Sequence, residues 1–231
     1  MKDHDAGNDH VAIDGPVSSG KTTNAQLLAA QTGHLYLDTG AMYRAVAFLA
    51  LTNGVDLDNE SGLVAMLGHH AIAIIPDPDT TPGYRVMIDG KNTGERLFDP
   101  DVAAAVSTVA ALPAIRAELV ARQRAIAAAG PVVMAGRDIG TVVLPDARFK
   151  FFLTASVDER ARRRHAEFQM RGIDVSFEDV RAQIAERDRL DSTRTHSPLR
   201  AAPDAVTIDS TDMLPEDVVA KMRAVMEAAR A

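Results

Sequence analysis

The stretch "VAIDGPVSSGKTT", residues 11 to 23, joins a short apolar run to a helix-like segment through the pattern G-x-x-x-x-G-K-[ST]. No other feature constrains the fold as much, because the pattern works only where a strand ends, a glycine-rich loop turns and a helix begins. Gly15 and Gly20 let such a loop fold its N–H groups around a phosphate, and the helix that follows directs its positive end there. Lys21 then reaches the outer phosphates, and Thr22 is placed to ligate magnesium. The motif specifies a nucleoside triphosphate site but not the reaction. Switches, motors and small-molecule kinases all carry it.

The rest of the chain supplies the alternation that such a junction needs. Apolar runs at "VAID" (11–14), "HLYLD" (34–38), "PVVMA" (131–135), "FKFFLTA" (149–155) and "AVTIDS" (205–210) are short and bounded by Gly, Pro or Asp, as buried parallel strands are. Helical periodicity covers 21–32, 40–52, 101–111, 114–128, 156–170, 177–194 and 215–229. The expected fold is a layered α/β domain with right-handed crossovers and helices on both faces of a five-stranded parallel sheet. Residues 71–97 break the rhythm with short alternating strands, a Pro-rich turn and a hairpin signal at Asp89 and Gly90. They read as a small antiparallel subdomain inserted into the α/β core.

Composition narrows the function classes. With 231 residues, 46% of them hydrophobic and 25% charged, the chain can bury a sizeable core. It has no cysteine, so no disulfide framework or thiolate metal site is available. His69 and His70 fall in a loop-like stretch and read as solvated. A formal net charge of -7 argues against a nucleic-acid partner. The apolar runs are too short to span a membrane, and the polar "MKDHDAGNDH" at residues 1–10 reads as a flexible leader rather than a secretory signal. A cytoplasmic, monomeric protein is expected.

Three further clusters bear on an acceptor. In "LYLDTGAMYRAV" (35–46), a strand runs into a helix, placing Asp38, Thr39 and Arg44 at the carboxyl edge of the sheet, where open α/β folds bind ligands. Arg137 and Asp138 in "VVMAGRDIGTVVLPDA" (132–147) follow another strand to the same edge. A bidentate arginine there matches a phosphate, and the aspartate can orient it or accept a base amino group; a structural ion pair fits the spacing equally well. In "AERDRLDSTRTHSPL" (185–199), Arg187, Asp191 and Arg194 fall on one helical stripe, and Arg160, Arg163 and Arg164 share a face of the preceding helix. Phosphoryl transfer needs cationic groups concentrated in this way, and an arginine-bearing lid would exclude water.

Taken in order and spacing, "IDGPVSSGKTT", "LDTGAMYRA", "GRDIGTVVLPDA" and "ERDRLDSTRTHSPL" make residues 11 to about 228 similar to the bacterial cytidylate kinase family. The resemblance implies a P-loop NTPase three-layer core over 11–66 and 99–228, an inserted nucleoside-monophosphate-binding subdomain over 67–98 and a short helical lid over 157–175. It implies transfer of the ATP γ-phosphoryl group to CMP or dCMP, with Mg2+. By position, Gly15, Pro16, Val17, Ser18, Ser19, Gly20, Lys21, Thr22 and Thr23 would hold ATP, with Arg160 and Arg164 on the ATP side. Thr39, Arg44, Arg137 and Arg194 would surround the CMP phosphate, with Asp38 beside them. Ser107, Arg116 and Asp138 would read cytosine, while Arg187 and Asp191 reach the sugar or phosphate side. The catalytic set is then Lys21, Arg137, Asp138, Arg187 and Arg194.

One position departs from the family pattern. The residue before "GRD" is commonly acidic in the family and is Ala135 here, which removes a second magnesium contact that Asp38 could supply instead. Two other readings stay open: a P-loop module that binds nucleotide with weak turnover, and a kinase for another small acceptor. A guanine-reading Asn-Lys-x-Asp segment is absent, which disfavours a GTPase switch.

Overall fold

A computed structural model describes residues 9–77, 79–80 and 84–230. Residues 1–8 of the expected leader and part of the Pro-rich turn lie outside the described residues. The chain forms two compact units, one of residues 1–35 and 131–231 and the other of residues 36–130.

The first unit is built on β1 (Val11–Asp14), whose neighbours are β6 (Val132–Gly136) and β7 (Phe149–Thr154), with β8 (Val206–Asp209) beyond β7. These pairings are parallel, and the full five-stranded sheet has the order β2-β6-β1-β7-β8, where β2 is Leu35–Asp38. Every residue of β1 and β6 is buried, so both strands read as near-continuous apolar runs rather than alternations, β1 ending in Asp14. Helices α1 (Lys21–Thr32), α6 (Val157–Met170), α7 (Phe177–Thr193) and α8 (Pro215–Ala228) complete this unit. The strand register pairs Asp14 with Gly136 and with Phe152, bringing the carboxyl ends of β1, β6 and β7 to one edge.

The second unit contains α2 (Thr39–Asn53), α3 (Glu60–Gly68), the antiparallel sheet β3 (Ile72–Pro76), β4 (Tyr84–Ile88) and β5 (Lys91–Asn92), then α4 (Pro100–Ala111) and α5 (Pro113–Ala127). Its core joins Met42 and Val46 of α2, Leu63 and Leu67 of α3, Val86 of β4 and Leu119 of α5. The two-residue turn between β4 and β5 takes Asp89 to φ 51° and Gly90 to φ 75°, the left-handed pair that an Asp-Gly hairpin favours.

Among the described residues, the periodicity places seven of the eight α-helices and the five strands of the large sheet to within one residue at each end. Helix α3 escapes it, because only nine residues with glycines at 62 and 68 carry the pattern; the Asn59 side chain starts the helix by accepting from the Gly62 N–H. His69 and His70 follow the end of α3 outside any helix or strand, as their loop-like pattern implied. His69 is exposed at the C-cap of α3, and His70 Nδ1 lies 2.6 Å from Asp89 Oδ2 at the hairpin turn. A five-residue π-turn, Ile139–Val143, was also hidden inside "DIGTVV".

Candidate active site

The loop after β1 has the backbone that an anion cradle requires. At Gly15, φ is 149° and an added Cβ would lie 2.0 Å from the Leu153 carbonyl oxygen, so only glycine fits. Gly20 caps α1 at φ 89°, so the positive end of the helix faces the loop without a side-chain cap. Lys21 is 8% exposed, and its ammonium donates to the Pro16 carbonyl at 2.5 Å. Ser19 is fully buried, Pro16 is buried, Val17, Ser18 and Thr22 are half-buried and Thr23 is exposed.

Helix α6 braces this loop. The Arg160 guanidinium donates to the Val17 carbonyl and, in a fork, to both carboxylate oxygens of Asp188 at 3.0 and 2.6 Å. Arg163 donates to the Ser210 hydroxyl and carbonyl, and that hydroxyl donates to the Ser19 carbonyl at 3.2 Å. Arg164 pairs with Glu167 and stacks on Phe168 at 4.4 Å. The cationic concentration read on this helix is therefore largely neutralised, because Glu159, Glu167 and Asp188 sit within reach of the three arginines.

A second cluster centres on Asp191. Its Oδ2 accepts from Arg137 Nε at 2.9 Å, and Arg194 lies 3.9 Å from its Oδ1. Burial raises the carboxyl's proton affinity, but Arg137, Arg187 and Arg194 together outweigh it and hold the group below the usual aspartate range. Three guanidiniums around one carboxylate leave net positive charge, the complement of a phosphate. Arg194 does not continue the helical stripe: it is the extended C-cap of α7, and its Nε–H donates to the Ser197 carbonyl.

Between loop and cluster stands Asp14. Its two carboxylate oxygens accept the N–H groups of Ile139 and Gly140 at 2.7 and 2.8 Å, which ties the end of β1 to the turn after Arg137 and Asp138. Asp138 is 5% exposed. Ala135 is 3% exposed inside β6, and its side chain carries no polar atom.

The second unit groups its own candidates. Asp38 Oδ1 caps α2 by accepting from the Gly40 N–H at 2.9 Å, while Oδ2 accepts from the Tyr84 hydroxyl at 2.8 Å and lies 3.9 Å from Arg44. Both oxygens are thus engaged, a poor arrangement for a metal ligand. Arg44 also stands over Phe98 at 5.3 Å, and Thr39 is buried. Arg116 is 5% exposed, donates to the Ala110 carbonyl and stands over Tyr43 at 5.6 Å, so it is no solvated helix charge. Ser107 lies half-buried on α4.

Asp14, Tyr84 and Asp188 are absent from the sequence-derived set, and Arg163 was read only as a member of the cationic face of α6. Asp14 left a signal, a charge ending an otherwise apolar strand beside a P-loop glycine; Tyr84 and Asp188 depend on tertiary neighbours.

A parallel sheet with a P-loop at its carboxyl edge, braced by arginines and joined to a cationic cluster, defines a P-loop phosphotransferase. The cytidylate kinase family model matches residues 11–228. A cytidylate kinase of Enterococcus faecalis is 51% identical over 217 residues, covering 94% of this chain and 95% of the relative. One from Geobacillus thermodenitrificans is 49% identical over 212 residues, covering 92% and 93%. Among solved structures, an uncharacterized protein from Eubacterium ventriosum shares the fold at TM-score 0.51 and 12% identity, over 96% of this chain and 99% of that one. The chain belongs to the cytidylate kinase family, and it is an ATP-dependent nucleoside monophosphate kinase.

Proposed function

We propose that the chain transfers the γ-phosphoryl group of ATP to CMP or dCMP, giving ADP and CDP or dCDP, through the residue roles that follow. The observation carrying this reading is the Asp191-centred set of Arg137, Arg187 and Arg194, bound through Asp14 to the P-loop strand. Gly15 to Thr23 cradle the donor phosphates, with Lys21 swinging from the Pro16 carbonyl to the outer oxygens. Arg160 and Arg164 serve the ATP side, Arg160 by holding the loop through Val17.

On the acceptor side, Thr39, Arg44, Arg137 and Arg194 bind the CMP phosphate, with Asp38 orienting Arg44. Arg187 and Asp191 serve the sugar or phosphate side. Ser107, Arg116 and Asp138 read cytosine: a carboxylate or hydroxyl meets its exocyclic amine, and an arginine meets the adjacent ring nitrogen. No general base is needed, because the attacking phosphate oxygen is already ionised near neutral pH. The arginines and Lys21 stabilise the charge that spreads over the transferring group.

Magnesium fits with one protein ligand. Among the described residues no group of three His, Cys, Asp or Glu side chains is placed to hold a metal. The Thr22 hydroxyl, half-buried in the first turn of α1, would hold the ion, with nucleotide oxygens and water completing the shell magnesium prefers. Bound there, the ion neutralises charge on the phosphates.

The reading also makes the protein a cytoplasmic monomer whose partners are nucleotides. A net charge of -7 disfavours nucleic acid, and no single helix among the described residues is long and apolar enough to cross a membrane. An ATP-coupled assay with magnesium across CMP, dCMP, UMP, AMP and GMP tests reaction and acceptor together. Turnover is expected with CMP and dCMP; absence of turnover with all five rejects the proposal.

A further inference from the structure

Asp14 is buried at 3% exposure, and its two carboxylate oxygens accept hydrogen bonds from main-chain N–H groups. A carboxylate in that position is costly to keep ionised, which pushes its pKa up to about 6. The charged groups facing it are Lys21 at the start of α1 and Asp138 after β6; Lys150 of β7 crosses the same turn with its methylenes and pairs with Asp204. A fold that needed only an apolar strand end would place an apolar side chain here.

The two N–H groups belong to the first two residues of the π-turn, which have no partner one turn back. Asp138 stands immediately before that turn, yet its side chain does not cap it. Asp14 supplies the acceptors from another strand, so capping makes no demand on Asp138. An added Cβ at Gly140 would sit at ordinary contact distance, 3.4 Å, from Asp14 Oδ2 and press at 3.2 Å on the Lys150 Cδ methylene.

We propose that Asp14 is a positioning residue of the acceptor site, which caps the turn after Arg137 and Asp138 and thereby fixes where both side chains project. The proposal rests on the acceptor roles given above for Arg137 and Asp138. It also links donor and acceptor: the residue beside Gly15 of the donor loop holds the backbone that presents the acceptor-reading pair.

Asp14→Asn tests it, because the amide keeps one acceptor and turns an NH2 toward the second N–H. Steady-state kinetics with CMP and ATP, and hydrogen exchange of peptides spanning 136–144, are measured on wild type and variant at pH 7.5. The expected result is faster exchange across Ile139 and Gly140, with KM for CMP raised at least about tenfold and KM for ATP changed by less than about threefold. Unchanged exchange, unchanged KM for CMP, or a change confined to KM for ATP overturns the proposal. Should Asp14→Asn fail to fold, Asp14→Glu carries the same readouts with the charge kept and the reach wrong. Wild-type turnover separates the two failures: no CMP phosphorylation by wild type rejects the functional reading, whereas normal wild-type turnover with an unaffected variant rejects only the role of Asp14.

Discussion

Arg137 donates its Nε–H to Asp191 Oδ2 at 2.9 Å across 54 positions of sequence, joining the end of β6 to the last turns of α7. Both side chains are mostly buried, at 20% and 11% exposure, so the pair is poorly screened by solvent. Asp191→Asn keeps an acceptor but removes the charge that orients Arg137 and Arg194. KM for CMP is expected to rise about 10- to 100-fold with KM for ATP little changed.

The same pair makes a pH-dependent contribution to stability. The carboxyl of Asp191 is held below its ordinary value, so its stabilisation is fully present above about pH 4 and is lost as pH falls through the folded-state pKa. Asp191→Asn is expected to be less stable than wild type at pH 7, by roughly 2 kcal/mol, with the difference shrinking as pH falls below about 4. Urea unfolding at pH 7 and at a series of lower pH values measures the difference.

Gly15→Ala is expected to disable the donor site outright. The new Cβ would collide with the Leu153 carbonyl oxygen at 2.0 Å, a backbone atom of β7 that cannot swing aside. Either the loop leaves its cradle or β7 shifts from β1, at a cost of about 3 kcal/mol or more. Loss of ATP binding by calorimetry, together with a lowered thermal midpoint, is the expected outcome.

The fold was legible because burial on both faces writes parallel strands as near-continuous apolar runs, as in "PVVMA" and in "VAID" up to its terminal Asp14. The P-loop was legible because its backbone demands glycine at positions 15 and 20. What stayed hidden depends on neighbours distant in sequence. Asp14 meets Ile139 and Gly140 across 125 and 126 positions, and Tyr84 meets Asp38 across 46. The arginines of α6 were visible as charges, but the acids that occupy them, Glu159, Glu167 and Asp188, were not weighed against them. Asp38 was read as a spare carboxylate for magnesium, whereas both its oxygens are engaged within its own unit.

Acceptor selectivity follows from hydrogen-bond polarity. Uracil presents a carbonyl and an N–H where cytosine presents an amine and an acceptor, so UMP would set two acceptors face to face at Asp138. CMP and dCMP are expected to exceed UMP in kcat/KM by at least about tenfold, and Asp138→Asn, which can donate, should narrow the gap. Equal use of UMP by the wild-type protein would reject the assignment.

Asp14 makes stability fall with rising pH, the reverse of Asp191. Its carboxyl moves from 3.8 up to about 6 on folding, so between those values the native state binds more protons than the unfolded chain. The stability it lends is fully present below about pH 4 and is lost as pH rises through about 6, a swing on the order of 3 kcal/mol. Asp14→Asn removes this dependence. The stability difference between variant and wild type should therefore shift in the variant's favour from pH 4 to pH 7, as denaturant unfolding at both values would measure; a constant difference contradicts a perturbed Asp14.

Ala135 stands where the family pattern commonly has an acid, and at 3% exposure inside β6 it sits in register with Ile13. With Asp38 engaged and Thr22 the one protein ligand proposed, a bound magnesium would take most of its shell from phosphates and water. Ala135→Asp adds a carboxylate at the strand end between the P-loop strand and the Arg137 turn. Two effects should separate in measurement: thermal stability falls, because a buried carboxylate is introduced, while the magnesium concentration for half-maximal rate and kcat both change more than KM for CMP. A variant whose magnesium titration and kcat match wild type would show that position 135 has no part in holding the ion.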